Sequence, residues 1–519
     1  MVLAIIDALH IRSYAGLSLG DGSSAVERAV GSAASLSDEL VLLVRPQQSE
    51  ATADSTTMSL KLGDGRVSLP ASVKVFEVRD TSAAGVLSVL TELSAEAEAV
   101  LYKRADEPWM MADEASLILS EHVKYRAHYS FADGYPAGST PVVLSPSLPR
   151  LLAKLVEESD DTAVADWLFT ILQRDINSFD VETLLSPVDF RMLRITFRCD
   201  TRANFVLCSR FQAILCDEAT GSVVPKDRYV RAVESNYGRL RTLPMYMSVE
   251  VTTAHPQKIT YLPDVSAGDT RADGPANMPV GRFRELVSGL SSYSPEATVG
   301  ICTWGEPLLH PDFPALVEAV CDTQGLSLLV ETSGIGRPVA EIVELAKRYG
   351  NRVRWIVALD AIEEDTYREL RGDGFPEAKA FAETLIAEVP AYSYVQAVRM
   401  KETEAHLETF WRYWKEKTDH IIIQKYDDFC GQLPPRKVTD LSPVQRFPCW
   451  HNKRDLYVRI DGTVPRCRED IRSDHALGNL YEQSFEDIWE AGEAVHRDQV
   501  AGRYTEICEN CDEYYTFNF

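Results

Sequence analysis

From Ser248 to Gly372 the chain alternates short apolar runs with helix-patterned stretches, and that alternation constrains the fold more than any other feature of its 519 residues. The runs are Ser248-Val-Glu-Val251, the stretch ending in Thr303-Trp-Gly-Glu-Pro307, Leu326-Ser-Leu-Leu-Val-Glu-Thr-Ser-Gly334, and Val353 to Asp360, the last followed by a helical Thr366-Tyr-Arg-Glu-Leu-Arg-Gly372. Strand followed by helix, repeated at this interval, predicts βα units on a parallel sheet. A chain of this length exceeds what one hydrophobic core serves, so two to four domains are expected.

The first two hundred residues form a different unit. Leu3 to Ile6 reads as a strand, Ala25 to Ser32 as a helix, and Glu39 to Val44 and Val73 to Val78 as further strands. Ala105-Asp-Glu-Pro-Trp109 follows, then a helix through His122, then Ala132-Asp-Gly-Tyr-Pro-Ala-Gly138. Leu193-Arg-Ile-Thr-Phe-Arg-Cys-Asp200 reads as a late strand with an acidic turn, and the polar Ser49 to Thr57 as a loop. Gly221, Pro225 and Gly238 interrupt any regular pattern between Asp217 and Leu243, which predicts a linker there. Adjacent prolines in Gly431-Gln-Leu-Pro-Pro-Arg436 predict an extended connector further on.

A formal charge of −25 argues against a nucleic-acid backbone or an anionic membrane as the partner, since both require clustered Lys and Arg. No stretch approaches the length of a membrane-spanning helix. Met1-Val-Leu-Ala-Ile-Ile6 has no basic n-region and reads as a first strand, so a cytoplasmic location with reduced thiols is expected.

Four of the ten cysteines are ordered at the C-terminus: Cys449, then Cys467 behind Gly462, and finally Cys508-Glu-Asn-Cys511. Leu456-Tyr-Val-Arg-Ile-Asp-Gly462 between them reads as a hairpin strand and turn. Four thiolates gathered from a hairpin and a C-x2-C turn suit one tetrahedral zinc or one cubane cluster, and the spacing leaves both open. The other six, Cys199, Cys208, Cys216, Cys302, Cys321 and Cys430, lie in apolar segments and are expected to be core thiols.

Several of these motifs resemble known families. Ser248 to Pro263 closely resembles the first strand and loop of radical S-adenosylmethionine (radical-SAM) enzymes, in which a strand runs into C-x3-C-x2-C. Here His255, Ile259 and Leu262 stand at the three cysteine positions. Neither Ile259 nor Leu262 has a lone pair to offer a metal, and His255 alone cannot hold a cluster. Gly305, Glu306 and Pro307 resemble the Gly-Glu-Pro motif whose backbone contacts S-adenosylmethionine, which implies a vestigial contact with weak or absent binding. The C-terminal cysteines resemble the SPASM extension behind many radical-SAM barrels, which implies one auxiliary [4Fe-4S] cluster on Cys449, Cys467, Cys508 and Cys511, with room for one and not two.

More loosely, residues 1 to 215 resemble nucleotidyltransferases of the cytidylyltransferase type, with Asp106 at the position of their metal-binding aspartate. The loop from Asp7 to Gly22 has Arg12 but lacks the glycines that let backbone amides cradle phosphates. The whole arrangement is similar to the spirochaete family called spiro-SPASM proteins. The implied fold is α/β: a nucleotidyltransferase-like domain at 1–215, a radical-SAM-like partial (β/α) barrel at 244–430 and a small SPASM-like iron-sulfur domain at 437–519.

Two functions follow as expectations. In the first, the chain binds one iron-sulfur cluster and acts without radical-SAM catalysis, presenting a peptide, protein or glycan precursor to a partner. In the second it is an enzyme, either a nucleotidyltransferase or an atypical radical-SAM protein that modifies peptides or glycans.

Overall fold

The computed structural model describes residues 1–46, 48, 52–53, 57–62, 65–70, 72–216, 223–263, 276–302 and 304–516. The chain forms two compact units, Met1–Thr242 and Leu243–Phe519.

The first unit is built on a seven-stranded sheet in the order Val181–Leu185, Tyr129–Asp133, Val142–Leu144, Ala99–Arg104, Val2–Asp7, Glu39–Val44, Lys74–Glu77. Val142–Leu144 is antiparallel to both neighbours, and the other pairings are parallel. Leu3, Ile5, Val41, Leu43 and Val100 point to one face and pack on helix residues Val86, Leu87 and Leu90. The helix Ala25–Ala34 starts at a capping box, in which Ser24 accepts from the Glu27 amide and Glu27 accepts from the Ser24 amide. That reciprocal pair satisfies two of the orphan donors at a helix start.

Three sequence expectations change here. Within the expected loop Ser49 to Thr57, Thr52–Ala53 is a strand that pairs with the strand Thr57–Leu62 in a small antiparallel sheet, and residues 49–51 and 54–56 lie outside the described residues. Leu193 to Asp200 is not a strand; a 3-10 turn ends at Leu193, and a single bridge joins Thr196 to Ala137. The expected linker between Asp217 and Leu243 contains the helix Lys226–Asn236, whose buried Tyr229, Val230 and Val233 recur at helical spacing. Pro225 and Gly238 flank that helix, and Gly221 lies outside the described residues.

The second unit carries seven parallel strands in the order Ile421–Lys425, Ser393–Arg399, Val353–Ala358, Ser327–Thr332, Thr298–Ile301, Tyr246–Val249, Asp455–Val458. Six of them run in chain order with helices between, such as Val280–Tyr293, Phe313–Cys321, Val339–Tyr349 and Phe375–Glu388. Winding in one direction puts every helix on the same side, which curls the sheet into a partial barrel. Met247, Val249, Val299, Val330, Trp355 and Val357 face the helices. Tyr246, Ser248, Leu329, Glu331, Ile356 and Ala358, one residue out of phase, face a cavity.

The seventh strand differs from the sequence reading. Leu456 to Gly462 does end in a hairpin turn, closed by Arg459 N donating to Thr463 O at 2.8 Å. Its principal pairing, however, is with the first barrel strand, where Tyr246 lies opposite Asp455. The cysteine-bearing C-terminus is therefore joined to the barrel through its own sheet, inside one compact unit.

Candidate functional site

The barrel encloses a cavity of about 450 Å³. Its wall is apolar at Leu329, Ile356 and Ile422 and polar at Ser248, Glu331, Gln396 and Arg468. Gln396 donates to Glu331 at 3.0 Å, and burial pushes the Glu331 carboxyl above its ordinary range against the pull of Arg468 and Arg371. Cys302, expected among the core thiols, instead lines this cavity beside the Tyr246 hydroxyl at 3.0 Å, and burial raises its thiol to about 11.

His255, Ile259 and Leu262 all line the cavity from the loop after the first strand. His255 is exposed, and Ile259 and Leu262 are half-buried. Between them, Tyr261 turns inward. Its hydroxyl donates to Asp360 at 2.5 Å and accepts from Arg371 at 2.6 Å, while Arg371 also reaches Asp360 at 2.6 Å. The other Asp360 oxygen accepts from the Val398 amide at 2.9 Å. Leu370, Val398, Met400 and Tyr426 pack around Tyr261, with Ile259 and Leu262 against them. Tyr261 anchors this part of the loop, while His255 stays exposed at the cavity.

The Gly-Glu-Pro segment follows the second strand, with Thr303 outside the described residues. A Cβ on Gly305 would stand 1.8 Å from the Thr252 carbonyl oxygen, so only glycine fits. Glu306 is buried and accepts from Thr332 Oγ1 at 2.5 Å, from the Ser333 amide and hydroxyl at 2.7 Å each, and from the Leu308 amide at 3.2 Å. Its carboxylate thus ties the second strand's turn to the third's.

Cys449, Cys467, Cys508 and Cys511 line one small cavity of about 30 Å³. Cys449 is the cap residue of the helix Trp450–Arg454, and burial raises its thiol against the pull of the nearby Asn452 and His451 amides. Gln499 donates to Cys508 Sγ at 3.4 Å and accepts from the Cys449 amide at 3.1 Å. The Glu513 amide donates to Cys511 Sγ at 3.4 Å. N–H groups aimed at sulfur favour thiolate over thiol. Glu469 lines the same cavity, only 5% exposed, and its Oε2 has no hydrogen-bond partner. Tyr457, Arg468 and Glu513 line both cavities, so one layer of side chains separates them.

Cys430 is another residue the sequence reading put in the core. It lies on the turn whose Gln432 donates to the Glu469 carbonyl at 3.1 Å, and the neighbouring Cys511 together with burial pushes its thiol up. Nothing in the sequence signalled this, because Cys430 falls outside the spaced set and reaches it only through the fold.

In the first unit, Asp106 is fully buried and both of its oxygens are held by Arg104, at 3.1 and 3.0 Å. Burial pushes its carboxyl up, with Arg104 opposing. Beside it, Glu107 receives Lys103 at 3.1 Å and Arg198 at 2.8 Å. These acids are paired with internal cations, Asp106 through both of its oxygens. Arg12 lies in the loop after the first strand, just ahead of the 3-10 turn Ser13–Gly16.

Residues 449–512 match the family model of the SPASM iron-sulfur cluster-binding domain. An uncharacterized protein of Treponema pallidum (strain Nichols) is 36% identical over 366 residues, covering 68% of this chain and 99% of the relative. This chain belongs to that protein's family, a SPASM family. A second uncharacterized protein of the same strain is 38% identical over 76 residues, 15% of this chain and 35% of its own. Among solved structures, Streptococcus suis SuiB is similar over 59% of this chain and 81% of its own, at 12% identity and a TM-score of 0.43. BtrN in complex with AdoMet and 2-DOIA covers 52% of this chain and 93% of its own, at 17% identity and a TM-score of 0.35. Native anSMEcpe with bound AdoMet covers 52% and 88%, at 15% identity and a TM-score of 0.40. In this SPASM protein the matched domain begins at Cys449 and contains all four of the spaced cysteines. Among the described residues no helix is long and apolar enough to cross a membrane.

Proposed function

We propose that this SPASM protein holds one [4Fe-4S] cluster through Cys449, Cys467, Cys508 and Cys511, and that its barrel binds a partner without cleaving S-adenosylmethionine. The observation that carries the reading is the contrast between four thiols around one cavity and a first-strand loop whose three cysteine positions hold His255, Ile259 and Leu262. The residues fit the group: all four donors are sulfur, and N–H groups of Gln499 and Glu513 point at Cys508 and Cys511. A single zinc would draw its thiolates to Zn–S bonds of about 2.3 Å.

A cluster ligated by four thiolates supplies one-electron transfer or rigidity and no open iron for a substrate. Gln499 links two of the cysteines, and Arg468 sets a half-buried positive charge between cluster site and barrel cavity. The cavity has the size and the mix of apolar wall and convergent polar groups of a ligand site, and a segment of a peptide or a glycan precursor is the partner it suits. The first unit keeps a nucleotidyltransferase-like sheet without transfer activity, since Asp106 is committed to Arg104. A cytoplasmic location belongs to the same reading, since thiolates that hold a cluster need a reducing compartment.

The test is anaerobic purification followed by iron, labile sulfide and zinc analysis, with a parallel incubation in S-adenosylmethionine and strong reductant. About four irons per chain and no 5′-deoxyadenosine are expected. Stoichiometric zinc without iron overturns the metal assignment. Formation of 5′-deoxyadenosine overturns the account of the barrel.

A further inference from the structure

Most of the charged groups that line the barrel cavity already have partners. Arg371 is held by Asp360 at 2.6 Å, Arg468 faces Asp427 at 3.6 Å, and Lys425 pairs with Asp512 at 3.0 Å and with Glu513. Glu306 holds donors from Thr332, Ser333 and Leu308 on its two oxygens. Glu331 is the exception. One of its oxygens accepts from Gln396 at 3.0 Å, and the other accepts from no donor among the described residues. No cation among them pairs with it either, although Arg468 lines the same cavity.

The sheet puts this carboxylate in an apolar setting. Leu329 and Glu331 alternate onto the cavity face of one strand, and Glu331 lies opposite Ile356 on the next. Gln396 is one strand further, opposite Ala358 on one side and Ile422 on the other. Ala358 carries only a methyl, which lets Gln396 reach across its strand to Glu331. Leu329, Ile356 and Ile422 belong to one apolar cluster beside the carboxylate. Two more of the cavity's side chains, Ile423 at 39% and Leu441 at 67%, are left exposed to water. Large apolar side chains gathered in water at a cavity are surface for a bound chain to cover.

We propose that the partner of the barrel is a peptide that inserts a lysine side chain, its ammonium on the open Glu331 oxygen and its methylenes on Leu329, Ile356 and Ile422. This deepens the reading of the cavity as a ligand site and rests on it. An ammonium is a compact point charge that one carboxylate oxygen satisfies, whereas the planar fork of arginine is matched to two, and Gln396 occupies one of them. A wholly apolar side chain would cover Glu331 and leave its oxygen buried without a partner. A sugar carries hydroxyls that each need a partner when buried, and the wall beside Glu331 is hydrocarbon. A lysine stem lies along apolar surface while its charged tip meets a polar group.

The experiment is calorimetric titration of the full chain, purified anaerobically, with the peptide acetyl-Gly-Leu-Lys-Leu-Gly-amide, its arginine and norleucine counterparts, and glucosamine as the sugar probe. The lysine peptide is expected to bind at least about tenfold tighter than the other two peptides. Glu331→Gln keeps the shape of the side chain and a carbonyl oxygen for Gln396, and it should bring the three peptides to within about twofold of one another. Equal binding of the three to the unmodified chain overturns the proposal, and so does a lysine preference that survives Glu331→Gln. Tighter binding of glucosamine than of the lysine peptide overturns it in favour of a sugar partner. Failure of all four probes to bind overturns instead the reading of the cavity as a ligand site, so the two failures are separable. Should Glu331→Gln not fold, the three peptides on the unmodified chain decide alone.

Discussion

The first-strand loop and the C-terminal cysteine site lie in one compact unit, and their surroundings differ in opposite ways. Around the loop, Tyr261, Asp360 and Arg371 bond to one another with Leu262, Leu370 and Met400 packed beside them, although Arg371 Nε is left without a partner and His255, Ile259 and Leu262 border the barrel cavity. Around the cysteines there is a void, N–H groups aimed at sulfur, and a buried carboxylate oxygen with no partner. Close packing is what a region selected only for stability converges on, because voids and orphaned polar atoms both cost free energy. A region that keeps such defects is shaped around something else.

The sharpest break of this comparison is chemical. Cys467→Ser should take the iron content from about four per chain to less than about one, while Cys302→Ser, in the barrel cavity, leaves it unchanged. Iron and sulfide analysis of anaerobically purified variants reads this directly. Equal iron in both variants would erase the distinction between the two regions.

Stability should respond in the opposite place. Asp360→Ala leaves Arg371 buried without its carboxylate and should cost about 3–5 kcal/mol, with the cluster retained in whatever fraction is folded. Replacing both partners, as Asp360→Asn with Arg371→Met, should cost less than Asp360→Ala, because no uncompensated charge remains. Denaturant unfolding followed by the tryptophans, with iron measured in the same samples, checks both. A larger loss in the double variant would mean that the ion pair is not what fills the loop.

Much of this was legible in the sequence because it is local. The βα alternation identified the barrel strands to within a residue or two at Ser327–Thr332 and Val353–Ala358, and the Cys449, Cys467, Cys508 and Cys511 set falls at a single cavity as its spacing suggested. What escaped is non-local. Asp455–Val458 looks like a self-contained hairpin strand, and only the open edge beside Tyr246–Val249 makes it a barrel strand. Cys430 and Cys302 sit in apolar runs like any core thiol, and their neighbours come from segments tens of residues away. Asp106 reads as a turn acid or a metal ligand alike until Arg104 closes on it, two residues back along the chain.

The first unit extends the comparison, since its buried acids behave like the loop and not like the cysteine site. Burial alone would raise the Glu107 carboxyl, but Lys103 and Arg198 hold it at about 2. A carboxyl lowered on folding contributes stability in full above its unfolded value near 4.5, and that contribution is lost as the pH falls from there toward 2. The loss should be on the order of 3 kcal/mol. Glu107→Gln removes this acid limb and lowers stability at neutral pH, because Lys103 and Arg198 stay buried. Unfolding measured from pH 7 to pH 3 tests it; an acid limb that survives Glu107→Gln unchanged would assign the pH dependence to other groups.

The smallest expected effect is the most pointed test. His255→Cys, Ile259→Cys and Leu262→Cys together restore the spacing of three thiolates on a retained strand, and if ligands were all the loop lacked, iron should double to about eight per chain. The three positions border the barrel cavity, but Tyr261 sits between them with its hydroxyl fixed by Asp360 and Arg371, and Leu262 packs against Trp304, Phe429 and Ile471, so the loop is held in a shape that does not bring three thiolates together. Iron should therefore stay near four, and S-adenosylmethionine should remain uncleaved. Adding Tyr261→Ala opens room, yet Arg371 and Asp360 remain paired at 2.6 Å beside it, so the cost of unpacking is added without a cluster to offset it. Eight irons in the triple variant with Tyr261 in place would show that the loop is still a vacant cluster site, and that the two regions differ in three side chains and nothing more.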